Sequence, residues 1–146
     1  MPLIYCVEDD EDIRELVIYA LKSHGFEAEG FENSKELFKA PPPDLIILDI
    51  MLPGEDGYSI LKRLRTSVIT SDIPVIMLTA KTSEFDKVKA LDMGADDYIE
   101  KPFGIMELIS RVKAVLRRSN RDSISKKLTY KEITIDYDKY QVLVDG

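Results

Sequence analysis

Asp44-Leu45-Ile46-Ile47-Leu48-Asp49 follows a Pro41-Pro42-Pro43 break and sets four apolar side chains in succession between two acids. A strand with one wet face alternates. An unbroken apolar run reads as a strand covered on both faces, the habit of a parallel sheet with helices above and below. Outward from it the chain repeats this phrase. Leu3-Ile4-Tyr5-Cys6-Val7 is a second apolar run, residues 74–78 a third, and weaker strands are predicted over 26–30 and 97–99. A helix is predicted over 10–23, where Ile13, Leu16, Val17, Ala20 and Leu21 keep the 3.6-residue period, with Gly25 to stop it. A short helix over 34–39 takes Asn33 or Ser34 as its cap. Further helices are predicted over 57–65, over about 83–92 with Gly94 at its end, and over 104–118, the last with Leu108, Ile109, Val112 and Val115 on one face. Five strands alternating with five helices imply an α/β domain with a parallel sheet and right-handed crossovers.

The 146 residues leave room for one domain of ~120 residues and a short appendage. Residues 119–127 are polar and without period, so they read as a linker, and 128–146 turn to a β pattern too short to stand alone. The expectation is a fragment of a longer protein. A net charge of −7 argues against a general nucleic-acid-binding surface. The local cations Arg111, Lys113, Arg117, Arg118, Arg121, Lys126 and Lys127 read as a helix end with a solvated linker behind it. Cys6 has no partner cysteine and sits in an apolar run, as a buried thiol in a reducing compartment would. No apolar stretch approaches the ~20 residues of a membrane span and no basic leader opens the chain, so a cytoplasmic protein is expected.

In open α/β sheets ligands gather at the carboxyl ends of the strands. Here strand one ends in Glu8, Asp9 and Asp10, strand three in Asp49, strand four in Thr79, and strand five in Glu100 and Lys101. Taken singly each has a plain structural explanation. The acids at 8–10 could cap a helix, which is the favoured role for Asp10, and Asp49 could simply begin a turn. Their joint placement on successive strand ends predicts a shared site. Crowded carboxylates repel unless a cation sits among them, and oxygen-only ligands suit Mg²⁺. One such carboxylate can act as a nucleophile toward a phosphoryl group, with metal and ammonium neutralising the phosphoryl oxygens.

Val7-Glu8-Asp9-Asp10, the run from Asp44 to Gly54, Leu78-Thr79-Ala80-Lys81 and the run from Gly94 to Phe103 resemble, in order, the motifs of response-regulator receiver domains. The resemblance covers residues 1–118. It implies a flavodoxin-like, doubly wound five-stranded parallel sheet of order 2-1-3-4-5, with a short β segment after it. Carried over by position, it implies Asp49 as phosphoacceptor and Glu8, Asp9, Asp49 and the Met51 main-chain carbonyl as Mg²⁺ ligands. Thr79 becomes the switch hydroxyl, Tyr98 the switch aromatic and Lys101 the phosphate-contacting base before a cis bond to Pro102. Glu8 stands where many members have Asp. Lys81 falls where members vary and where dephosphorylation is tuned.

Residues 94–118 are similar to the OmpR/PhoB subfamily, and 128–146 to the strands that open its winged-helix DNA-binding domain. That similarity implies a homodimer face on the fourth helix, fifth strand and fifth helix, carrying Lys87, Asp92, Asp96, Asp97, Glu107, Arg111 and Lys113. Glu107 and Arg111 are equally an i,i+4 pair on an exposed helix, worth only ~0.3–0.5 kcal/mol. His24, the single histidine, reads as a surface residue complementing a helix end. The expected function is a two-component transcription regulator, phosphorylated by a sensor histidine kinase and not a turnover enzyme. Two alternatives stand beside it. One is a stand-alone receiver that docks to a partner. The other is a magnesium-dependent phosphatase, which commonly needs an acid two residues after the nucleophile where this chain has Met51.

Overall fold

Apolar runs bounded by Pro, Gly and acids become strands here, and the 3.6-period segments between them become the helices that cover both faces. The computed structural model describes residues 2–52, 54–80 and 84–134, the side chains of 84–86 and 120–134 excepted. In chain order the elements are β1 Leu3–Val7, α1 Glu11–Ser23, β2 Glu27–Phe31, α2 Ser34–Leu37, β3 Leu45–Asp49, α3 Gly57–Thr66, β4 Val75–Thr79, α4 Glu84–Asp92, β5 Asp97–Glu100 and α5 Ile105–Thr134. The five strands form one parallel sheet in the order β2-β1-β3-β4-β5, the order expected.

β3 is buried at every position, and its alternate side chains feed two cores. Leu45 and Ile47 join Val17, Leu21, Leu108 and Val112 on the α1–α5 side. Ile46 and Leu48 join Ile60, Leu61, Leu64 and Ala90 on the α3–α4 side. Full burial of each such side chain stabilises by about 1.5–3 kcal/mol, which explains why the central run needs no polar break. Asp10 caps α1 by accepting from the Ile13 N–H at 3.1 Å, Asn33 caps α2, and Asp56 caps α3 by accepting from the Ser59 N–H at 2.9 Å. Gly25 and Gly94 follow α1 and α4 with φ of 91° and 107°, conformations open to glycine without strain. His24 sits exposed at the end of α1 with its Nδ1 2.9 Å from the Ala20 carbonyl oxygen.

One expectation is corrected. The backbone of α5 stays helical to Thr134, across the segment expected to be a linker and across the first residues expected to be strand. Residues 119–134 contain neither Gly nor Pro, so nothing in them interrupts the i→i−4 ladder begun at Ile105. The remainder of the expected β segment, 135–146, lies outside the described residues, as do Pro53 and Lys81.

Candidate functional site

Parallel strands in this order bring the ends of β1, β3, β4 and β5 to one rim. Glu8 follows β1, and Asp49 ends β3. Thr79 ends β4 in register with Glu100 of β5, and the Lys101 N–H donates to the Thr79 carbonyl at 2.7 Å. Ligand oxygens of Glu8, Asp9 and Asp49 lie within 4.8 Å of one another. Glu8, Asp49 and Thr79 are 1–2% exposed, whereas Asp9 faces solvent. The Lys101 ammonium enters from β5 and sits 2.9 Å from Glu8 Oε1 and 3.3 Å from Asp49 Oδ2. The peptide that follows it, to Pro102, is cis, as expected.

One ammonium cannot neutralise two buried carboxylates. Burial, with the Asp49 carboxylate adding to it, holds the Glu8 carboxyl above the ordinary glutamate value despite the Lys101 and Asp10 contacts that oppose the rise. At Lys101 burial works against the charge, but Glu8 and Asp49 outweigh it and raise the ammonium above its ordinary value. Glu8 Oε2 accepts from the Asp10 N–H at 3.1 Å, and Asp49 Oδ1 accepts from the Met51 N–H at 3.2 Å. Glu8 Oε1 is buried and, for all its closeness to Lys101, receives no aligned hydrogen bond. The rim thus sets three carboxylates against one ammonium, and an oxygen-seeking cation is the group that would complete it.

Gly57, to which the sequence reading gave no role beyond opening a helix, supports this arrangement. Its N–H donates to the Ile50 carbonyl at 2.8 Å. A Cβ at this position would stand 2.4 Å from the Asp49 carbonyl oxygen and 2.7 Å from Ile50 Cα. Only glycine lets the start of α3 press against the end of β3 and the loop that carries Met51. Its short spacing behind Asp49 was visible in the sequence, but nothing in that spacing announces a backbone contact.

Tyr98 is partly buried against the α3–α4 core, with the Lys87 ammonium 5.1 Å from its ring centroid. Lys87 also pairs with Glu100 at 2.6 Å. Arg111 of α5 reaches Asp97 at 3.0 Å and Glu107 at 3.2 Å. Asp96, though exposed, pairs with Arg65 at 3.2 Å and accepts from the Val75 N–H at 2.8 Å. Asp92 and Lys113 are exposed. Of the charges expected on that face, Lys87, Asp96, Asp97, Glu107 and Arg111 are engaged within the chain.

The family model described as response regulator receiver domain matches residues 4–113. The phosphate regulon transcriptional regulatory protein PhoB of Klebsiella pneumoniae is 42% identical over 143 residues, covering 96% of this chain and 62% of that protein. The chain spans about three fifths of the length of the curated relatives it matches. Among solved structures, the receiver domain of response regulator 1452 from Francisella superposes with a TM-score of 0.76 at 35% identity, covering 82% of this chain and 99% of that one. The BeF3-activated DrrB receiver domain superposes with a TM-score of 0.73 at 31% identity, covering 80% and 98%.

Proposed function

The chain belongs to the response-regulator receiver family, and from that premise we propose that it is a phosphoryl-accepting switch in a two-component system, with Asp49 as the acceptor. An Asp49 carboxylate oxygen attacks the phosphorus of a phosphohistidine on a sensor kinase. The O–P bond forms as the P–N bond breaks, and the bonding pair leaves with the imidazole. The observation that carries this reading is the meeting of three carboxylates from two strand ends with one ammonium across two of them.

Mg²⁺ fits this all-oxygen donor set, in which the buried Glu8 Oε1 is ion-paired with Lys101 but receives no aligned hydrogen bond. Glu8, Asp9, Asp49 and the Met51 carbonyl would hold the ion, which when bound supplies charge neutralisation at the phosphoryl oxygens. Lys101, already beside Asp49, pairs with one of those oxygens after transfer. The Thr79 hydroxyl donates to another, and that movement at the end of β4 draws the Tyr98 ring inward. A pre-existing equilibrium then shifts toward a form that pairs with a second copy through α4, β5 and α5. Lys87, Asp92, Asp96, Asp97, Glu107, Arg111 and Lys113 supply the charges of that face. Since Lys87 is held by Glu100 and the Tyr98 ring, release of Tyr98 and release of Lys87 go together.

The whole protein would be a cytoplasmic transcription regulator that binds DNA through a domain following the receiver. It would not turn over substrate, because the phosphoryl group stays on the chain until hydrolysed. No helix among the described residues is long and apolar enough to cross a membrane. Incubation with acetyl phosphate and Mg²⁺, read by intact mass, tests the acceptor. One added phosphoryl group is expected, lost in Asp49→Asn and on chelation of the metal. An Asp49→Asn protein that gains the mass as readily as the unmodified sequence refutes the reading.

A further inference from the structure

β1 loses its sheet partners just before the acids begin, since its pairing with β2 and with β3 stops at Val7. The Glu8 N–H still reaches the Phe31 carbonyl at 2.9 Å, but the Glu8 carbonyl lies past the ladder and needs a donor from elsewhere. That donor is Arg14 of α1, whose Nη1 stands 2.7 Å from the Glu8 carbonyl oxygen. No carboxylate among the described residues pairs with this guanidinium, so the carbonyl is its engagement. To get there the aliphatic stem of Arg14 crosses β2 at Gly30. A Cβ on Gly30 would lie 2.8 Å from Arg14 Cδ and 2.9 Å from Cγ. Glycine inside a strand weakens it and commonly marks the close approach of another group. Here the group is identified.

We propose that Arg14, given passage by Gly30, is the positioning residue of the β1 acid pair. By holding the Glu8 carbonyl it fixes the peptide shared by Glu8 and Asp9, and with it the approach of both carboxylates to a divalent cation. This rests on the reading of the rim as a Mg²⁺ site. Ligands fixed beforehand pay less ordering entropy on binding, and contacts behind a metal's ligands typically set affinity by about 10- to 100-fold.

Isothermal titration with MgCl₂ of the unmodified protein, Arg14→Met, Gly30→Ala and the double variant, each with its melting temperature, tests the proposal. Arg14→Met is expected to weaken Mg²⁺ binding by about tenfold. Gly30→Ala should shift it in the same direction by displacing the stem, and the double variant should bind as Arg14→Met does, because the second change removes nothing further. Acetyl phosphate modification should slow at low Mg²⁺ and recover at saturation, since Asp49 and Lys101 are carried by other strands. A merely structural Arg14 lowers the melting temperature and leaves the Mg²⁺ constant unchanged, and that result overturns the inference. Additive effects of the two substitutions overturn the link between positions 14 and 30. Should Arg14→Met not fold, Arg14→Lys keeps the stem and charge without the planar fork and is expected to bind Mg²⁺ at intermediate strength. An unmodified protein that takes up no Mg²⁺ brings down the metal-site reading itself, whereas uptake equal in all variants brings down only this inference.

Discussion

Arg65 at the amino-terminal edge of the sheet and Lys101 at its carboxyl edge are equally sheltered, with side chains 20% and 19% exposed, yet their surroundings differ in kind. Arg65 donates to the carbonyls of Gly94, Ile73 and Ser71 and to Asp96 Oδ2, at 2.7 to 3.3 Å. Asp96 in turn accepts from the Val75 N–H. The donor fork and its acceptors are matched, and the group ties the end of α3 and the start of β4 to the turn before β5. Lys101 faces two buried carboxylates with a third beside them, and one carboxylate oxygen is left without an aligned donor. A saturated cluster is a staple, while an unsaturated one has room for a further charge. The contrast predicts which substitutions cost stability and which cost binding.

The largest loss of stability is expected at the saturated end. Arg65→Ala takes the guanidinium donor from the Gly94, Ile73 and Ser71 carbonyls and leaves Asp96 with the Val75 N–H, at a cost of about 3 kcal/mol. Urea unfolding should show that loss while Mg²⁺ affinity stays as it was, the rim being at the other end of the sheet. A variant that weakens Mg²⁺ binding without loss of stability would erase the distinction drawn between the two ends.

Gly57→Ala comes next and strikes the rim. Its Cβ would meet main chain at Asp49 and Ile50, which no side-chain rotation relieves, so a cost of about 2 kcal/mol is expected. Unlike the change at Arg65, it should also slow acetyl phosphate modification at saturating Mg²⁺, because the strand end that carries Asp49 must shift. Denaturation and rate measurements on the same protein separate the two effects.

How much of this the residues announced follows the same divide. The strand ends were legible because burial on both faces writes itself as an apolar run, and Asp49, Glu8, Thr79 and Lys101 stand where such runs stop. Two-sided burial and helical period were enough to imply the alternating α/β order. Arg14, Gly30, Gly57 and Arg65 were not legible, since each acts through a main-chain contact set by tertiary packing, and a lone arginine or glycine carries no period. The end of α5 was misjudged for a related reason: polarity at 119–127 resembled a linker, but a polar segment without Gly or Pro can continue a helix that packing has already nucleated.

A smaller effect sharpens the account of the rim through pH. Glu8 is raised in the folded chain, chiefly by burial, so the folded state keeps a proton that the unfolded chain has already released. Stability of the metal-free protein should therefore fall as pH climbs from the ordinary glutamate value through the raised one, and Glu8→Gln should remove that slope. Lys101 is raised as well, because its two carboxylates outweigh its burial. Its contribution is whole below the ordinary lysine value and is lost as pH rises through the folded value. Denaturant titrations across pH in chelator compare the two proteins, and equal slopes in the carboxylate range would contradict the shift at Glu8.

The smallest expected signal is a rate that should barely register. Cys6 sits in β1 between the two ends, opposite Gly30 and Ile47, and is fully buried. Burial, with the nearby Glu8 charge, pushes its thiol up to about 12. At mildly alkaline pH almost no thiolate exists in the folded chain, and none is exposed, so alkylation must await opening of the sheet. If the amino-terminal staple holds the sheet closed, alkylation should speed up in Arg65→Ala in proportion to its lost stability. Mg²⁺, bound to the folded form alone under the proposed function, should slow it in the unmodified protein. Slow labelling that neither change affects would mean that β1 opens alone and that the two ends of the sheet do not share one cooperative unit.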